Sequence, residues 1–407
     1  MKKSIFRLTT ILLLCALCAL LLFFSGCEDE STSDSRIPST SDTSGTTKKP
    51  SDSGSSNTTD KPSNSGSSNT TEKPSNGGTS NTTQKPSNEE SSFFIMTGQT
   101  LSGLTDAGKK QTSIVIPSKI DGVTVTAIGR SVFQYCYYLT SVSIPSSVTS
   151  IGNYAFSCCE SLESITVPSS VKTIGENAFA YCSTMTSVSL ENGVTDIGES
   201  AFAECRSLKS VTIPDSVTNI GRDAFFGCTG LTSVSIPSSV TSMGSSVFGR
   251  CTAIKQATMP TIAISSVPKD QLETVVLNGG SSIPNFAFQY CSTLKSVQIP
   301  GTVTSIGMYA FDDCEGLTSV TIPDSVTEIG AHAFFCCFGL TSVKIGKGVK
   351  SIGSYAFNSC SKLTSVTFAN PTGWKAGGTA MDVSDPAKAA AYLVPGYPYG
   401  SYEWTRG

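Results

Sequence analysis

A 23-residue period constrains this 407-residue chain more than any other feature of its sequence. One phenylalanine marks each period, and a cysteine follows it after three residues. The phenylalanines are Phe133, Phe156, Phe179, Phe202, Phe225 and Phe248 and, after one break, Phe288, Phe311, Phe334 and Phe357. Fixed periods of about 20–50 residues are typical of solenoids, in which each repeat forms one coil. The sequence therefore predicts a stack of coils.

Residues 139–159 indicate how one coil is built. Val142 and Ile144 alternate with serines, which predicts a half-buried strand that the following proline ends. A second short extended segment follows, and Gly152 is expected to let the chain turn sharply into a short helical turn. One coil buries too few side chains to offset the entropy lost on ordering it, so neighbouring coils must stack.

The repeated cysteines have two possible roles. They could act as metal ligands or disulfide partners, but metal sites bring ligands together in local groups, and His332 is the chain's one histidine. Side chains that face the same way in neighbouring coils are also poorly aimed for disulfides. We therefore expect buried thiols that pack as small apolar groups. Cys158 and Cys336, which fall outside the column, are the candidates for a reactive thiol.

Composition excludes some classes of function. With 28 basic and 31 acidic side chains the net charge is −3, which argues against a nucleic-acid or polybasic membrane partner. No glycine-rich phosphate loop, metal cluster or isolated acid pair stands out, so we predict no catalytic residues, no metal site and no cofactor. His332 occupies a position that holds Tyr154, Asn177 and Ser200 in other repeats. This tolerance predicts a solvent-facing side chain.

The first 92 residues are predicted to export and tether the domain. Residues 1–26 have a basic start and an apolar stretch, and they lead into Phe24-Ser25-Gly26-Cys27, which resembles the lipobox of bacterial lipoproteins. The resemblance implies a signal peptide at 1–26, acylation of Cys27 and membrane contact through this lipid only. The alternative is an uncleaved signal anchor. Residues 27–92, rich in Ser, Thr, Pro and Asn, are predicted to form a disordered tether.

The remaining residues are predicted to form a capped solenoid. We assign an N-terminal cap to 93–131, the solenoid to 132–368 and a C-terminal cap to 369–407. Residues 252–287 hold two strand positions only 18 residues apart, which indicates one shortened coil, either with a function of its own or without one. In the C-terminal cap, Asp385 is the expected N-cap of a short helix. Trp374 and Trp404 either seal the last coil or bind sugar by stacking.

The unit that runs from Ile151 to Leu162, Ile-Gly-x-x-Ala-Phe-x-x-Cys-x-x-Leu, closely matches BspA-like (Treponema-type) leucine-rich-repeat surface proteins. The resemblance covers about residues 93–407. It implies a right-handed, curved leucine-rich-repeat solenoid whose 23-residue coils each contain a parallel β-strand, a second short extended segment and a short helical turn. Members of this family are bacterial surface or secreted proteins, several of them adhesins for host matrix or coaggregation factors. No catalytic residue belongs to the family motif.

The outward positions of the longer strands are the candidate binding residues. They form a polar, nearly uncharged column that can hydrogen-bond a partner. Its members are Ser143, Thr166, Ser189, Thr212, Ser235, Thr258, Gln298, Thr321, Lys344 and Thr367. We expect an extracellular protein or glycan as the partner, with self-association also possible and no nucleic acid. The expected location is extracytoplasmic, lipid-anchored and on the outer cell surface. The alternative role is a structural or self-associating envelope protein without a dedicated ligand.

Overall fold

The computed structural model describes residues 91–394 and 398–407. They form a stack of coils made mostly of short β-strands and turns. Cys27, the signal peptide and almost all of the predicted tether lie outside the described residues. No helix in the part of the chain that the structure describes is long and apolar enough to cross a lipid bilayer.

The longer strands lie on one side of the coils and pair in parallel with the equivalent strand of the next coil. In chain-order numbering they are β3 (Ser113–Val115), β7 (Ser141–Ser143), β9 (Ser164–Val167), β11 (Ser187–Leu190), β13 (Ser210–Thr212), β15 (Ser233–Ser235), β17 (Gln256–Pro260), β18 (Thr274–Gly279), β20 (Ser296–Gln298), β22 (Ser319–Ile322), β24 (Ser342–Ile345) and β26 (Ser365–Phe368). Within β9, Ile165 and Val167 are buried and Ser164 and Thr166 are exposed. The alternation in the sequence therefore predicts the inner and outer faces correctly.

A second column of two-residue strands forms another side of the coils. These strands are β6 (Ala127–Ile128), β8 (Ser150–Ile151), β10 (Thr173–Ile174), β12 (Asp196–Ile197), β14 (Asn219–Ile220), β16 (Ser242–Met243), β19 (Ser282–Ile283), β21 (Ser305–Ile306), β23 (Glu328–Ile329) and β25 (Ser351–Ile352). A glycine follows most of them, and Gly152 shows why. A Cβ atom there would lie 2.8 Å from the carbonyl carbon of Gly129 in the preceding coil. Close contact between coils, rather than a sharp turn, therefore requires this glycine.

The segment around each phenylalanine is a series of turns rather than the predicted short helical turn. Tyr154 and Cys158 have positive φ angles of 59° and 60°, which an α-helix does not allow. Alternate N–H groups bond inside the coil or across to the next one: Ser157 N donates to Tyr154 O at 3.1 Å, whereas Phe156 N donates to Ala178 O at 2.7 Å. This segment thus adds another column of hydrogen bonds between coils.

The core between these columns contains two stacks of phenylalanine rings. From Phe133 to Phe248 consecutive ring centroids lie 4.7–5.3 Å apart with nearly parallel planes, and a second stack runs from Phe288 to Phe357. All ten rings are fully buried. Because each ring contacts the ring of the next coil, a coil gains most of its packing from its neighbours.

One shortened coil separates the two phenylalanine stacks, as the spacing within 252–287 indicates. Gln256 of β17 pairs with Thr274 of β18, which lies only 18 residues later. A 3₁₀-helix, Thr261–Ser266, replaces the turn segment with its phenylalanine and cysteine. The coil also lacks a two-residue strand, so that column ends at β16 and a separate sheet starts at β19. The longer strands nevertheless stay paired in the order β13-β15-β17-β18-β20.

Antiparallel hairpins and a helix cover the two ends of the stack. At the N-terminal end, β1 (Phe94–Thr97) pairs with β2 (Thr100–Leu104), which continues into β6. A 3₁₀-helix (Gly108–Lys110) and the hairpin β4 (Lys119–Ile120) and β5 (Val123–Thr124) follow. At the C-terminal end lie β27 (Trp374–Ala376), β28 (Thr379–Ala380), α1 (Pro386–Leu393), a 3₁₀-helix (Pro398–Ser401) and β29 (Trp404–Arg406).

The helix α1 begins as the sequence predicts. Asp385 Oδ1 accepts hydrogen bonds from the N–H groups of Ala387 at 2.8 Å and Lys388 at 2.9 Å, and Pro386 takes the first helical position. The helix packs against β26, the last longer strand. On the other side of the coil, β29 pairs antiparallel with β25 and ends the column of two-residue strands.

Candidate functional site

The ten candidate binding residues all lie on the longer strands and face outward; we call their column the strand face. Each is exposed or half-buried, whereas the valine or isoleucine beside it points toward the core. The register brings equivalent residues together, since Thr212 pairs with Ser235 and Ser235 with Thr258. Lys344 pairs with Thr321 and Thr367 at the far end. The structure therefore places these ten residues in one surface.

The shortened coil adds a residue to the strand face that the sequence pattern did not predict. Val276 of β18 pairs with Thr258 on one side and with Gln298 on the other. Val115 of β3 likewise pairs with Ser143 at the N-terminal end, and 58% of its surface is exposed. Both were missed because their coils do not contain the Phe/Cys unit. The register of the flanking longer strands is the signal that locates Val276.

A groove of about 220 Å³ lies in the middle of the strand face. Its lining is uncharged and combines hydroxyl groups, one amide and several small apolar side chains. The lining residues are Ser210, Val211, Thr212, Ser233, Val234, Ser235, Gln256, Ala257, Thr258, Thr274 and Val276. Three of the ten candidate residues, Thr212, Ser235 and Thr258, thus line one concave site. We call it the strand-face groove.

Charges beside the strand-face groove are paired with each other. Glu273, which directly precedes β18, lies 3.1 Å from Lys255 Nζ and 2.5 Å from Lys295 Nζ. Hydrogen bonds from Lys295 and then Lys255 hold the pKa of the Glu273 carboxyl below its usual value. The carboxylate therefore stays ionised between two cations, and this edge of the groove carries a small net charge.

The repeated cysteines are structural. The twelve cysteines among the described residues are free thiols, and the ten in the column are buried, as predicted. Most of the column thiols also donate to the phenylalanine carbonyl of the preceding coil: Cys205 Sγ lies 3.2 Å from Phe179 O. Burial raises the pKa of the half-buried Cys336 thiol to about 12. Only about one molecule in 10⁵ then carries its thiolate at pH 7, so Cys336 is a poor nucleophile.

His332 is half-buried, so the predicted solvent-facing position is wrong. Its ring is stacked between those of Tyr309 at 4.5 Å and Tyr355 at 5.0 Å, because the same column position is aromatic in three consecutive coils. Nδ1 is buried without a hydrogen-bond partner. Burial lowers the pKa of the imidazole. Within residues 91–394 and 398–407, no group of three His, Cys, Asp or Glu side chains is arranged to hold a metal ion.

The C-terminal tryptophans are buried in the cap. Trp374 and Trp404 are 2% and 1% exposed. Each indole N–H donates to a backbone carbonyl, of Asn370 at 3.0 Å and of Tyr399 at 2.9 Å. Phe368 from the last longer strand packs against both rings. These tryptophans therefore close the end of the core, and their faces are not available to stack on a sugar.

The parallel strand columns, the repeated inward Leu, Val and Ile side chains and the polar strand face define a leucine-rich-repeat solenoid. Proteins of this architecture are binding scaffolds whose stacked repeats present an extended surface. The family model for the BspA type leucine-rich repeat region matches residues 107–230, 195–274 and 281–374. The chain belongs to this family.

No curated protein matches the chain. Among solved structures, a leucine-rich repeat protein from Bacteroides ovatus shares 27% identity over 65% of this chain and 89% of that one, with a TM-score of 0.30. A leucine-rich cell surface protein from Faecalibacterium prausnitzii shares 28% identity over 69% of this chain and 93% of that one, with a TM-score of 0.33. The leucine-rich repeat protein of T. pallidum shares 25% identity over 55% and 88%, with a TM-score of 0.33.

Proposed function

We propose that this protein is an extracytoplasmic binding protein whose strand face holds an extracellular protein or a glycan. The observation that carries the proposal is the strand-face groove, which lies on a run of longer strands that stays paired across the shortened coil. Recognition sites combine concave shape with a few convergent polar groups. Ser235 and Thr258 supply such groups at the middle of the groove, and Val276 supplies an apolar contact.

The chemistry of the strand face favours a polar, weakly charged ligand. Hydroxyl groups both donate and accept hydrogen bonds, so Thr212, Ser235 and Thr258 match sugar hydroxyls as well as peptide groups. The paired cluster around Glu273 adds no net attraction for an anion. Surfaces of this kind bind through shape and many hydrogen bonds rather than through charge.

The N-terminal residues support an outer-surface location. A lipid on Cys27, followed by the predicted tether of residues 28–92, would leave the solenoid free to reach a partner at a distance from the membrane. The leucine-rich cell surface protein of Faecalibacterium prausnitzii is a relative with a comparable location in its name.

A binding screen with two matched variants tests the proposal. The purified full-length chain is presented with extracellular-matrix proteins, a glycan array and itself. The strand-face variant carries Ser235→Glu and Thr258→Glu. Its control carries Thr173→Glu and Ser242→Glu, two exposed positions on the two-residue strands with the same change in charge.

We expect saturable binding to at least one matrix protein or glycan, lost in the strand-face variant and kept in the control. The proposal fails if every bound partner tolerates the Ser235/Thr258 change. It also fails if the chain binds only itself, which would favour a structural envelope protein. Circular dichroism of both variants verifies that the coils remain folded.

A further inference from the structure

The outer surface of the coils changes character at the shortened coil. The position two residues after each two-residue strand holds large polar side chains in the N-terminal half, and these contact each other. Asn153 Oδ1 accepts from Glu176 N at 3.0 Å, and Arg222 lies 3.3 Å from Glu199. After the shortened coil the same position holds Asn285, Met308, Ala331 and Ser354. Smaller side chains there leave the outer surface open.

A groove of about 470 Å³ fills the space that these small residues leave. We call it the C-terminal groove. It is lined by Asn285, Ser305, Ile306, Gly307, Met308, Glu328, Ile329, Gly330, Ala331, Ser351, Gly353, Ser354 and Glu403. Glu403 directly precedes β29, which pairs with β25 at the end of the column. The volume falls in the range of about 300–1,000 Å³ that ligand sites occupy.

The C-terminal groove is negatively charged. Glu328 and Glu403 are its two ionisable residues, and no Lys, Arg or His belongs to its lining. Among the ion pairs of the described residues, neither carboxylate has a cationic partner. In the N-terminal half, by contrast, Glu199 pairs with Arg222, and Glu176 accepts from the Tyr154 hydroxyl at 2.8 Å. The groove therefore offers two acceptors to a cation from outside.

A row of aromatic rings borders the C-terminal groove. Phe286, Tyr309, His332 and Tyr355 each follow a groove residue directly in the chain, and their rings stack with centroid distances of 4.5–5.5 Å. Phe286 is 51% exposed, and the groove residue Met308 is 43% exposed. Exposed apolar side chains at the rim of a concave site are typical of interaction surfaces. A ligand that enters the groove can thus bury apolar as well as cationic groups.

We propose that the C-terminal groove binds an extended peptide segment of a partner protein that carries Lys or Arg next to apolar residues. The groove crosses four coils, from the coil of Asn285 to that of Ser354, and ends at Glu403. At about 4.8 Å per coil it is roughly 15–20 Å long, which suits about five residues of extended chain. Glu328 and Glu403 bind the cationic side chains, and the aromatic row contacts the apolar ones. The site is separate from the strand face.

Fluorescence anisotropy with two labelled heptapeptides tests this inference on the purified full-length chain. The first peptide, Ala-Lys-Leu-Arg-Leu-Lys-Ala, carries three cationic residues, and the second replaces each of them with glutamate. The groove variant carries Glu328→Gln and Glu403→Gln. Its control carries Glu176→Gln and Glu199→Gln, which changes the net charge equally in the N-terminal half. A second groove variant, Ala331→Arg, introduces the residue that Arg222 supplies at the same position.

We expect saturable binding of the cationic peptide, at least about tenfold weaker in both groove variants and unchanged in the control, since a hydrogen bond to a charged group contributes about 1.5–3 kcal/mol. Binding should also weaken as salt rises. Equal loss in the groove variant and its control would reveal only non-specific attraction and overturn the inference, as would equal binding of both peptides. The Ser235/Thr258 variant should bind the peptide normally, so failure of the strand-face proposal would leave this result unaffected.

Discussion

Asp312 provides the sharpest prediction because the fold buries its carboxyl group without a cation. The residue is 4% exposed. Its Oδ2 accepts one hydrogen bond from Gln289 Nε2 at 2.9 Å, while Oδ1 is buried without a partner. Burial, reinforced by the nearby charge of Asp313, raises the pKa of Asp312 from 3.8 to about 6. The folded protein therefore favours the protonated acid.

The sign of the effect on stability follows from this shift. Below pH 3.8 the acid is protonated in both the folded and the unfolded chain and costs nothing. Between pH 3.8 and about 6 the unfolded chain ionises first, so the free energy of unfolding falls as the pH rises. Above pH 6 the full penalty applies. A difference of about two pKa units corresponds to about 3 kcal/mol.

Asp312→Asn should therefore raise the free energy of unfolding by up to about 3 kcal/mol at pH 7.5 and by much less at pH 4. Asparagine keeps the size of the side chain and an oxygen that can accept from Gln289, but it cannot ionise. Urea unfolding followed by circular dichroism at the two pH values measures the difference. The exposed Asp215, changed to Asn, is the control and should alter neither curve.

Two results would refute this reasoning. A variant that is less stable than the native chain at pH 7.5 would mean that the carboxylate is stabilised by contacts that asparagine cannot make. A gain of equal size at pH 4 and pH 7.5 would mean that the effect does not come from ionisation. Either result would show that Asp312 is not held as a buried, unpaired acid.

Two other changes test the core and the anchor. Phe225→Ala removes a ring stacked on Phe202 at 5.2 Å and on Phe248 at 5.3 Å, and should lower the free energy of unfolding by about 3–5 kcal/mol; an unchanged urea midpoint would contradict stacking as the main source of stability. Cys27→Ala should release the protein from the membrane fraction of cells, because the proposed lipid can no longer be attached. If the variant still sediments with membranes, Cys27 is not the anchor.

Periodicity was sufficient to predict the repeated part of the fold. The alternation in segments such as Ser164–Val167 identifies which side chains are buried, and the interval from Phe156 to Phe179 sets the length of a coil. The turn segment was harder to predict. Ala155, Phe156 and Cys159 have helical spacing, but Tyr154 and Cys158 take positive φ angles because their N–H groups bond to the next coil. A sequence pattern reports which residues are buried, not which neighbour satisfies the backbone.

The candidate sites were predictable only in part, for a related reason. Thr212, Ser235 and Thr258 could be located because they recur at one position of the repeat. The groove beside them depends on Val276, which is supplied by a coil without the repeat motif. The half-buried state of His332 depends on the rings of Tyr309 and Tyr355, 23 residues away in each direction. Properties that arise from contacts between coils need the register, which the period alone does not show.

The shortened coil shows that the two sides of the solenoid depend on different parts of the repeat. It lacks a two-residue strand and the Phe/Cys turn segment, yet its longer strand pairs with both neighbours. Hydrogen bonds of the longer strands are thus sufficient to carry the strand face across a coil whose other side is rebuilt. The outer surface has no such continuity, and its polar N-terminal half gives way to the C-terminal groove at this coil. Substitutions at Ala331 or Ser354 can therefore alter the groove while leaving Ser235 and Thr258 in place, which makes the two proposed sites separable by mutation.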